Sequence, residues 1–392
     1  MTRQATGRDA GFTLVEMLIA TFIMIAVTGA TFALMNPAQG MFAAQPEVMD
    51  MQQRLRIGVD VVRKDILMAG GGAYSGSMTG SLGNYFASVL PFRIGNVTPD
   101  PPGSFFTDRI TVMYVPPTSA QTSIADPMPT PSAELKVTQE PGCPNNDDLC
   151  GFKSGMTVMI MDDTGAWDTF TITNVQSAAL HLQHNGDDLN KAYGAGSYIA
   201  QIAQYTYWLK TDTVSNTYQL MRYDGNQTDV PIADNVVGLS FEYYGDPAPP
   251  QLRPGLVPAT TYGPKPPALG VDNATDSWGA GENCVFTVQA GQQVPRLDWL
   301  GAGNTGLVKL TQAQLTDGPW CPDASASGRY DADLLRIRDV KVKLRVQASS
   351  AQFRGGQGVF FTRGGTAKTG ERYLPDQEIK FDVVPRNLSL GR

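Results

Sequence analysis

Apolar residues form one long run near the amino terminus, and this run predicts a helix that is long enough to cross a membrane. It covers residues 12–35 and contains scattered Thr and Gly and a single acid, Glu16. About 20 apolar residues are enough to span a bilayer as a helix. No other charge occurs between Glu16 and Glu47. Because a charge inside lipid is costly and usually has a partner, Glu16 is a candidate functional residue.

The next stretch, residues 36–69, predicts an amphipathic continuation of this helix. Its apolar positions recur every three or four residues, which is the helical spacing, and they are Val48, Met51, Leu55, Val59, Val62, Ile66 and Ala69. Asn36-Pro37 predicts a break or kink between the two parts, because an interior proline removes a helical hydrogen bond. Gly70-Gly71-Gly72 predicts the carboxyl end of the helix.

Beyond residue 70 the pattern changes to short alternating runs bounded by turn residues, which predicts antiparallel β structure. The predicted strands are Asp108–Val115, Met156–Met161, Thr169–Val175, Ser197–Leu209, Thr217–Tyr223, Val236–Tyr244, Leu334–Val346, Gly358–Thr362 and Ile379–Val384. The turn residues 162–165 predict a hairpin between the second and third of these strands. A shift in the alternation near Asp339 predicts a β-bulge.

A Pro- and Gly-rich segment, residues 246–330, interrupts the β pattern, and we predict that it is a large surface insertion. The fold class is therefore α+β, with a long amino-terminal helix packed on an antiparallel head. The head comprises residues 70–245, the insertion and the late strands of 331–392.

The cysteines fall into two local pairs, Cys143 with Cys150 and Cys284 with Cys321. Four cysteines allow three connectivities, and pairing of neighbours is the simplest. Zinc is the competing interpretation, although neither pair has the spacing of a zinc knuckle and no histidine lies near in sequence. Disulfides would require an oxidising compartment outside the cytoplasm.

Charge and chemistry narrow the function classes. The net charge of −7 provides no basic footprint for nucleic acid, so direct binding of nucleic acid is not expected. His181 and His184 are the only histidines, and no hydrolase, metalloprotease or nucleotide-binding motif occurs. We expect no enzymatic activity and no cofactor.

Two weaker ligand hypotheses remain. Asn145, Asp147 and Asp148 cluster oxygen ligands between two cysteines and are a candidate calcium site, with a solvated turn as the alternative. The tryptophans are candidates for binding sugars or for the core, and they are Trp167, Trp208, Trp278, Trp299 and Trp320.

The amino terminus, GFTLVE at residues 11–16 followed by an apolar helix, closely resembles the type IV prepilin signal. The resemblance implies that residues 1–11 are a leader, that prepilin peptidase cleaves between Gly11 and Phe12, and that the new amino terminus on Phe12 is methylated. It also implies that the Glu16 carboxylate faces the terminal ammonium of an adjoining subunit. Arg3 and Arg8 precede the apolar run, which favours a cytoplasmic amino terminus.

The order of several later segments resembles minor pilins of the PilW type, among them KDILMAGG, DRITVMYV and IADNVVGLSFEYY. This resemblance implies a minor pilin of a type IV pilus. The large head suits a position at or near the tip, where we expect the protein to prime assembly and to support adhesion, twitching motility or DNA uptake. Its partners would be other pilins, the prepilin peptidase and the inner-membrane assembly platform. The protein would wait in the inner membrane as a single-pass subunit, with its head outside the cytoplasm, before it joins a surface fibre.

Two alternatives share the same signal. One is a minor pseudopilin of a type II secretion system. The other is a tip adhesin that binds a surface ligand through residues 246–330.

Overall fold

The amino-terminal helix, α1, covers Leu14–Met68 and is 55 residues long. The computed structural model describes residues 11–389 except 73–79, 118–119, 140–148, 150, 163–165, 187–188, 215–216, 228, 253–261, 273–276, 302–305, 327 and 369–372, and within α1 it leaves out the side chains of residues 36–41 and 43. The helix continues through Asn36 and Pro37, so it does not break there; the alternative, a kink, stays a prediction. A proline costs a helix one backbone hydrogen bond and a local clash, and the long helical segments on both sides outweigh that loss.

Twenty strands follow α1 in the described part of the chain. They are β1 Val89–Leu90, β2 Arg109–Tyr114, β3 Gln121–Ser123, β4 Leu135–Lys136, β5 Thr157–Met161, β6 Trp167–Thr171, β7 Asn174–Gln176, β8 His181–Gln183, β9 Tyr198–Gln201, β10 Ala203–Asp212, β11 Thr217–Tyr223, β12 Val230–Asp234, β13 Val236–Gly245, β14 Phe286–Gln289, β15 Gln292–Pro295, β16 Val308–Leu310, β17 Trp320–Cys321, β18 Tyr330–Asp331, β19 Ile337–Val346 and β20 Gln377–Val383.

Every pairing between these strands is antiparallel, as the alternating pattern predicted. The larger sheets have the orders β1-β2-β10-β11-β12, β16-β13-β19-β20 and β3-β9-β5-β6. A three-stranded sheet, β4-β8-β7, and the hairpins β14-β15 and β17-β18 complete the described set. The fold is therefore α+β, with one apolar amino-terminal helix and antiparallel sheets.

The predicted hairpin forms between β5 and β6, where Met161 pairs with Trp167. The predicted strand Ser197–Leu209 is instead two strands, β9 and β10, which belong to different sheets. Its apolar pattern runs through both strands, so the pattern alone cannot reveal that the chain changes sheets at Ile202. The predicted bulge also forms, because the register of β13 against β19 shifts between the pairs with Asp339 and Ile337.

The second half of α1 buries the predicted apolar stripe, with Met51, Val62 and Ile66 almost completely enclosed. Gly58 lies on this face, where an added Cβ would come within 2.8 Å of Leu344 on β19 and 3.4 Å of Leu220 on β11. The missing side chain therefore lets the helix backbone approach strands of two different sheets closely.

Asp65 is the one acid on the buried face of this helix in the described residues. Its carboxylate accepts hydrogen bonds from the hydroxyls of Tyr114 on β2, at 3.1 Å, and Tyr207 on β10. The guanidinium of Arg222 on β11 lies 3.9 Å away. Burial, together with the Asp65 charge, raises the pKa of both tyrosines, so they remain hydrogen-bond donors at any physiological pH. This cluster ties the helix to three neighbouring strands.

The described residues divide into two compact units. The first contains α1 through Gln53 together with Ala348–Asp376, and the second contains Arg54–Gln347 and the carboxyl-terminal residues from Gln377. In the first unit, the backbone N–H and hydroxyl of Ser349 donate hydrogen bonds to the Glu47 carboxylate on the helix.

The predicted strand Gly358–Thr362 is wrong. Gly358 and Phe361 exchange backbone hydrogen bonds across a tight turn, at 2.9 and 3.2 Å. The turn leaves Val359 85% and Phe360 66% exposed, while Phe361 is buried against Tyr373. The apolar run predicts a strand because exposed apolar side chains at a turn have no sequence signature of their own.

Residues 246–330 are not confined to the surface, contrary to the prediction. Strand β16 from this segment pairs with β13 and forms one edge of the sheet β16-β13-β19-β20. The guanidinium of Arg336, which is fully buried, donates hydrogen bonds to the carbonyls of Pro247 at 3.1 Å, Ala248 at 3.3 Å and Asp298. One arginine outside the segment therefore satisfies backbone groups at two places within it.

Candidate functional site

The predicted processing site lies just before α1, and both of its residues are exposed. Gly11 and Phe12 are non-helical, and an added Cβ at Gly11 would meet no atom within 4 Å. A peptidase binds its substrate as extended, accessible chain, so the position outside the helix suits cleavage.

Thr13 and Glu16 form a capping box that determines where α1 starts. The Glu16 carboxylate accepts hydrogen bonds from the Thr13 backbone N–H at 2.8 Å and the Thr13 hydroxyl at 2.9 Å. In return, the Glu16 N–H donates to the Thr13 hydroxyl at 3.3 Å, and the Thr13 carbonyl accepts the first helical bond from Met17 at 3.1 Å. The residue that the sequence singled out therefore has a local partner in the single chain.

The apolar part of α1, Leu14–Met35, is 22 residues long and has none of its surface buried by the rest of the described chain. Phe12, Phe22 and Leu34 are each largely exposed. A segment of this length and composition can span a bilayer, so the chain has a membrane-anchoring or signal-like segment at its amino terminus. Its apolar side chains require lipid or other apolar surfaces around them.

The head also contains a cleft that the sequence did not predict. Two adjoining cavities, of about 270 and 460 Å³, share the lining residues Trp167, Asp168, Asn190 and Gly328. Trp167 and Asp168 come from β6, the edge strand of its sheet, and Gly328 comes from the 246–330 segment. Residues 92–102 also line the larger cavity, so the cleft depends on four stretches that are far apart in sequence, and no local pattern could have brought them together.

Asp168 is buried beside the cleft and is held by three hydrogen-bond donors. These are the Asn190 backbone N–H at 2.9 Å, the Asn190 side-chain amide at 2.5 Å and the Tyr193 hydroxyl at 2.9 Å. Burial raises the pKa of Asp168, and the hydrogen bonds from Asn190 and Tyr193 oppose that shift. The arrangement fixes the cleft wall rigidly.

Trp167 is 8% exposed and stacks on Phe86 with ring centroids 5.4 Å apart. Its indole Nε1 has no hydrogen-bond partner among the described residues. A buried N–H without an acceptor costs about 1–3 kcal/mol, and the surrounding atoms shield this nitrogen from solvent.

A second group of acids, Asp317, Asp331 and Asp333, brings three carboxylates within 4.8 Å of one another. Burial raises the pKa of Asp331 to about 7 and that of Asp333 to about 6. Asp331 accepts the backbone N–H groups of Gly318 and Asp333, and Asp333 pairs with Arg336. These internal bonds make the group part of the framework around the 246–330 segment.

The remaining predicted site residues have different outcomes. Cys284 and Cys321 form the expected disulfide, with an S–S distance of 2.06 Å. Cys143, Cys150 and the calcium candidates Asn145, Asp147 and Asp148 lie outside the described residues.

The two histidines contact protein groups. His181 Nδ1 lies 2.9 Å from the Glu134 carboxylate, and His184 Nε2 lies 2.9 Å from the Ala133 carbonyl. Among the described residues, neither histidine belongs to a group of three side chains that could bind one metal ion.

No family model, curated protein or solved structure matches this chain. The class that the structure itself defines is an α+β protein of antiparallel sheets, with a single apolar amino-terminal helix that is able to span a membrane.

Proposed function

We propose that this protein is a minor pilin of a type IV filament, cleaved between Gly11 and Phe12 and incorporated through its amino-terminal helix. The observation that carries the proposal is the helix start. A prepilin-like GFTLVE sequence lies at an exposed, non-helical junction, and a capping box begins the helix directly after it. The wholly exposed apolar span of Leu14–Met35 supports the proposal, because such a surface fits first a bilayer and then the helical core of a filament.

The capping box has a clear role in this scheme. By starting the helix at Leu14, it keeps the bond between Gly11 and Phe12 out of helical hydrogen bonding. After cleavage, Phe12 carries a new ammonium group close to the Glu16 carboxylate. Within an apolar filament core this charge needs a partner, and an ammonium of the same or an adjoining subunit supplies one. Glu16 would then specify the register of the subunit.

The tip position and the priming role belong to the same proposal. Its partners are other pilins, the prepilin peptidase and the inner-membrane assembly platform, and the protein is a single-pass inner-membrane subunit before assembly. The large head favours the tip over the shaft, because a tip subunit has no neighbour above it with which a large head would clash.

Intact-mass spectrometry of the protein from cells with and without prepilin peptidase tests the processing step. We expect a chain that begins at methylated Phe12 only when the peptidase is present. Gly11→Leu should abolish processing, whereas Gly7→Leu, a matched change within the leader, should preserve it. An uncleaved wild-type chain, or cleavage after residue 30, would refute the proposal.

Sheared surface fibres then test the filament system. Recovery of the mature protein in these fibres supports the pilus. Normal fibres that lack the protein, combined with a secretion defect in its absence, would point to a type II secretion system instead.

A further inference from the structure

We propose that the turn Gly358–Phe361 docks on the membrane beside α1, with Val359 and Phe360 inserted into the headgroup region of an anionic bilayer. We call these four residues the docking turn. The proposal rests on anchoring of the chain by Leu14–Met35, which the proposed function also requires, but it does not depend on cleavage at Gly11.

Two adjacent apolar side chains project from the docking turn into solvent. Val359 and Phe360 are both strongly exposed, whereas the next residue, Phe361, is buried against Tyr373. The segment around the turn therefore has an apolar contact of its own and still leaves these two side chains outside it. Neighbouring exposed apolar side chains make the turn a candidate interaction surface.

Backbone hydrogen bonds hold the docking turn in this conformation. Gly358 and Phe361 exchange two of them, and the Phe360 carbonyl accepts a third from the Asp376 N–H at 2.9 Å. The Asp376 carboxylate in turn accepts the Thr362 N–H at 2.6 Å. Because the backbone is already fixed, insertion of the two side chains costs little conformational entropy.

The docking turn belongs to the same compact unit as the apolar span, since this unit contains α1 through Gln53 together with Ala348–Asp376. The two parts meet at Glu47 on the helix. Its carboxylate accepts the Ser349 hydroxyl at 2.7 and 2.9 Å and also the Ser349 backbone N–H. The 348–376 segment is therefore attached to α1 at the first charged residue after Glu16.

The distance between these two acids places Glu47 at a membrane surface. Residues 17–46 are all helical and contain no charge. A helix of this length is about 45 Å long, and a bilayer with both headgroup regions is about 40–45 Å thick. Phe42 is largely exposed, so apolar surface continues almost to Glu47. The helix can therefore cross a bilayer with Glu16 at one surface and Glu47, with the attached segment, at the other.

The charge of the 348–376 segment is opposite to that of the whole chain. The segment contains four basic residues and two acids, four minus two giving a net charge of +2, whereas the chain has a net charge of −7. Arg363 and Lys368 follow the docking turn, and Lys368 is exposed. Basic residues are attracted to anionic lipid, and this attraction adds to the insertion of apolar side chains.

The small size of the docking turn favours a bilayer over a protein partner. A stable protein interface buries about 800 Å² on each side, whereas the turn offers two strongly exposed apolar side chains. Two side chains are enough for a bilayer contact here, because the helix already holds the segment close to the lipid and no separate binding step is needed.

Photo-crosslinking of the full chain tests the proposal in vesicles of equal parts phosphatidylcholine and phosphatidylglycerol. A benzophenone amino acid replaces Phe360, which is exposed, so the fold should be preserved. The matched control has the same group at Val214, which is 97% exposed on a turn of the other compact unit. A further control has it at Phe22 within the apolar span. Mass spectrometry separates lipid adducts from protein adducts.

We expect lipid adducts at positions 22 and 360, with a yield at 360 at least about threefold higher than at position 214. Arg363→Gln/Lys368→Gln should lower the yield at 360 about threefold in these vesicles and change it little in phosphatidylcholine alone. Lys153→Gln/Lys265→Gln is the matched control. It removes the same charge from exposed positions of the other unit and should leave the yield unchanged.

Three results would overturn the proposal. The first is a lipid adduct at position 22 with no more adduct at 360 than at 214. The second is a crosslink from position 360 to another copy of the chain in place of lipid, which would make the docking turn a contact between subunits. The third is an equal yield at 360 with and without the charges of Arg363 and Lys368. Lipid at neither 22 nor 360 would instead remove the anchor on which both proposals rest, so the two failures are distinguishable.

Discussion

Replacing Asp65 with alanine removes the carboxylate that accepts hydrogen bonds from Tyr114 and Tyr207, and we expect this change to loosen the helix from the sheet. Asp65 is almost completely buried and Tyr207 is fully buried, so water cannot replace the lost acceptor without entering the core. The variant leaves two buried hydroxyls and the Arg222 guanidinium without this partner.

The expected magnitude follows from these contacts. A hydrogen bond to a charged group contributes about 1.5–3 kcal/mol, and removing one member of a buried charged cluster costs about 3–5 kcal/mol. The Arg222 contact at 3.9 Å adds little, because its guanidinium is partly exposed to solvent. We therefore expect Asp65→Ala to lower the free energy of unfolding by about 3–5 kcal/mol. Asp65→Asn keeps one acceptor oxygen, so its cost should be about half as large.

Urea unfolding of the full chain in detergent, followed by far-ultraviolet circular dichroism, measures this effect. Asp60→Ala is the matched control, because Asp60 is an exposed acid on the same helix. A double-mutant cycle with Tyr207→Phe isolates the hydrogen bond, since the two changes should be clearly non-additive.

The reasoning would be refuted if Asp65→Ala and Asp60→Ala had equal costs. It would also be refuted if the Asp65 and Tyr207 changes were additive to within the error of the measurement.

Three further predictions concern the 246–330 segment. Arg336→Met should lower the free energy of unfolding in urea by about 3–5 kcal/mol, because it leaves buried carbonyls and a buried acid without their partner. A smaller loss of stability for Arg336→Met than for Arg336→Lys would contradict this. The pKa of Asp331 is raised to about 7. The folded state therefore binds more protons than the unfolded state between roughly pH 4 and 7. The free energy of unfolding should fall as the pH rises through that window. Asp331→Asn should flatten this slope in thermal melts and Asp317→Asn, a change in the neighbouring acid, should affect it less; an unchanged slope in Asp331→Asn would argue against the assignment. The Cys284→Ser/Cys321→Ser variant should lose about 4 kcal/mol by the loop-entropy relation for a separation of 37 residues, and an unchanged urea midpoint would show that the disulfide adds no stability.

Much of the secondary structure was predictable because its signals are local. The helical spacing from Val48 to Ala69 correctly indicated the buried face of α1, and Thr217–Tyr223 was predicted with the bounds that the structure has. The prediction failed where one local pattern fits two outcomes. The apolar residues around Val359 predict a strand, yet they lie in an exposed turn.

The cleft shows why candidate sites are harder to predict than elements. Trp167 was recognised as a residue that could bind a sugar or lie in the core, but nothing in its neighbourhood identified Asp168 and Asn190 as its companions. Their contact depends on the edge position of β6 and on the path of the chain some twenty residues later. Such proximity is a property of topology and not of spacing.

The amino acid sequence by itself determined the long apolar segment, the position of its single acid and the antiparallel character of the head, whereas it left the cysteine pairing open. The determined features rest on hydrophobic length and alternation, which are local. Only the tertiary structure decided that Asp65 is clamped by tyrosines from two strands, that Arg336 holds the Pro-rich segment in place, and that β6 forms one wall of a cleft. Those outcomes depend on which polar groups, distant in sequence, form hydrogen bonds with one another once water has been excluded.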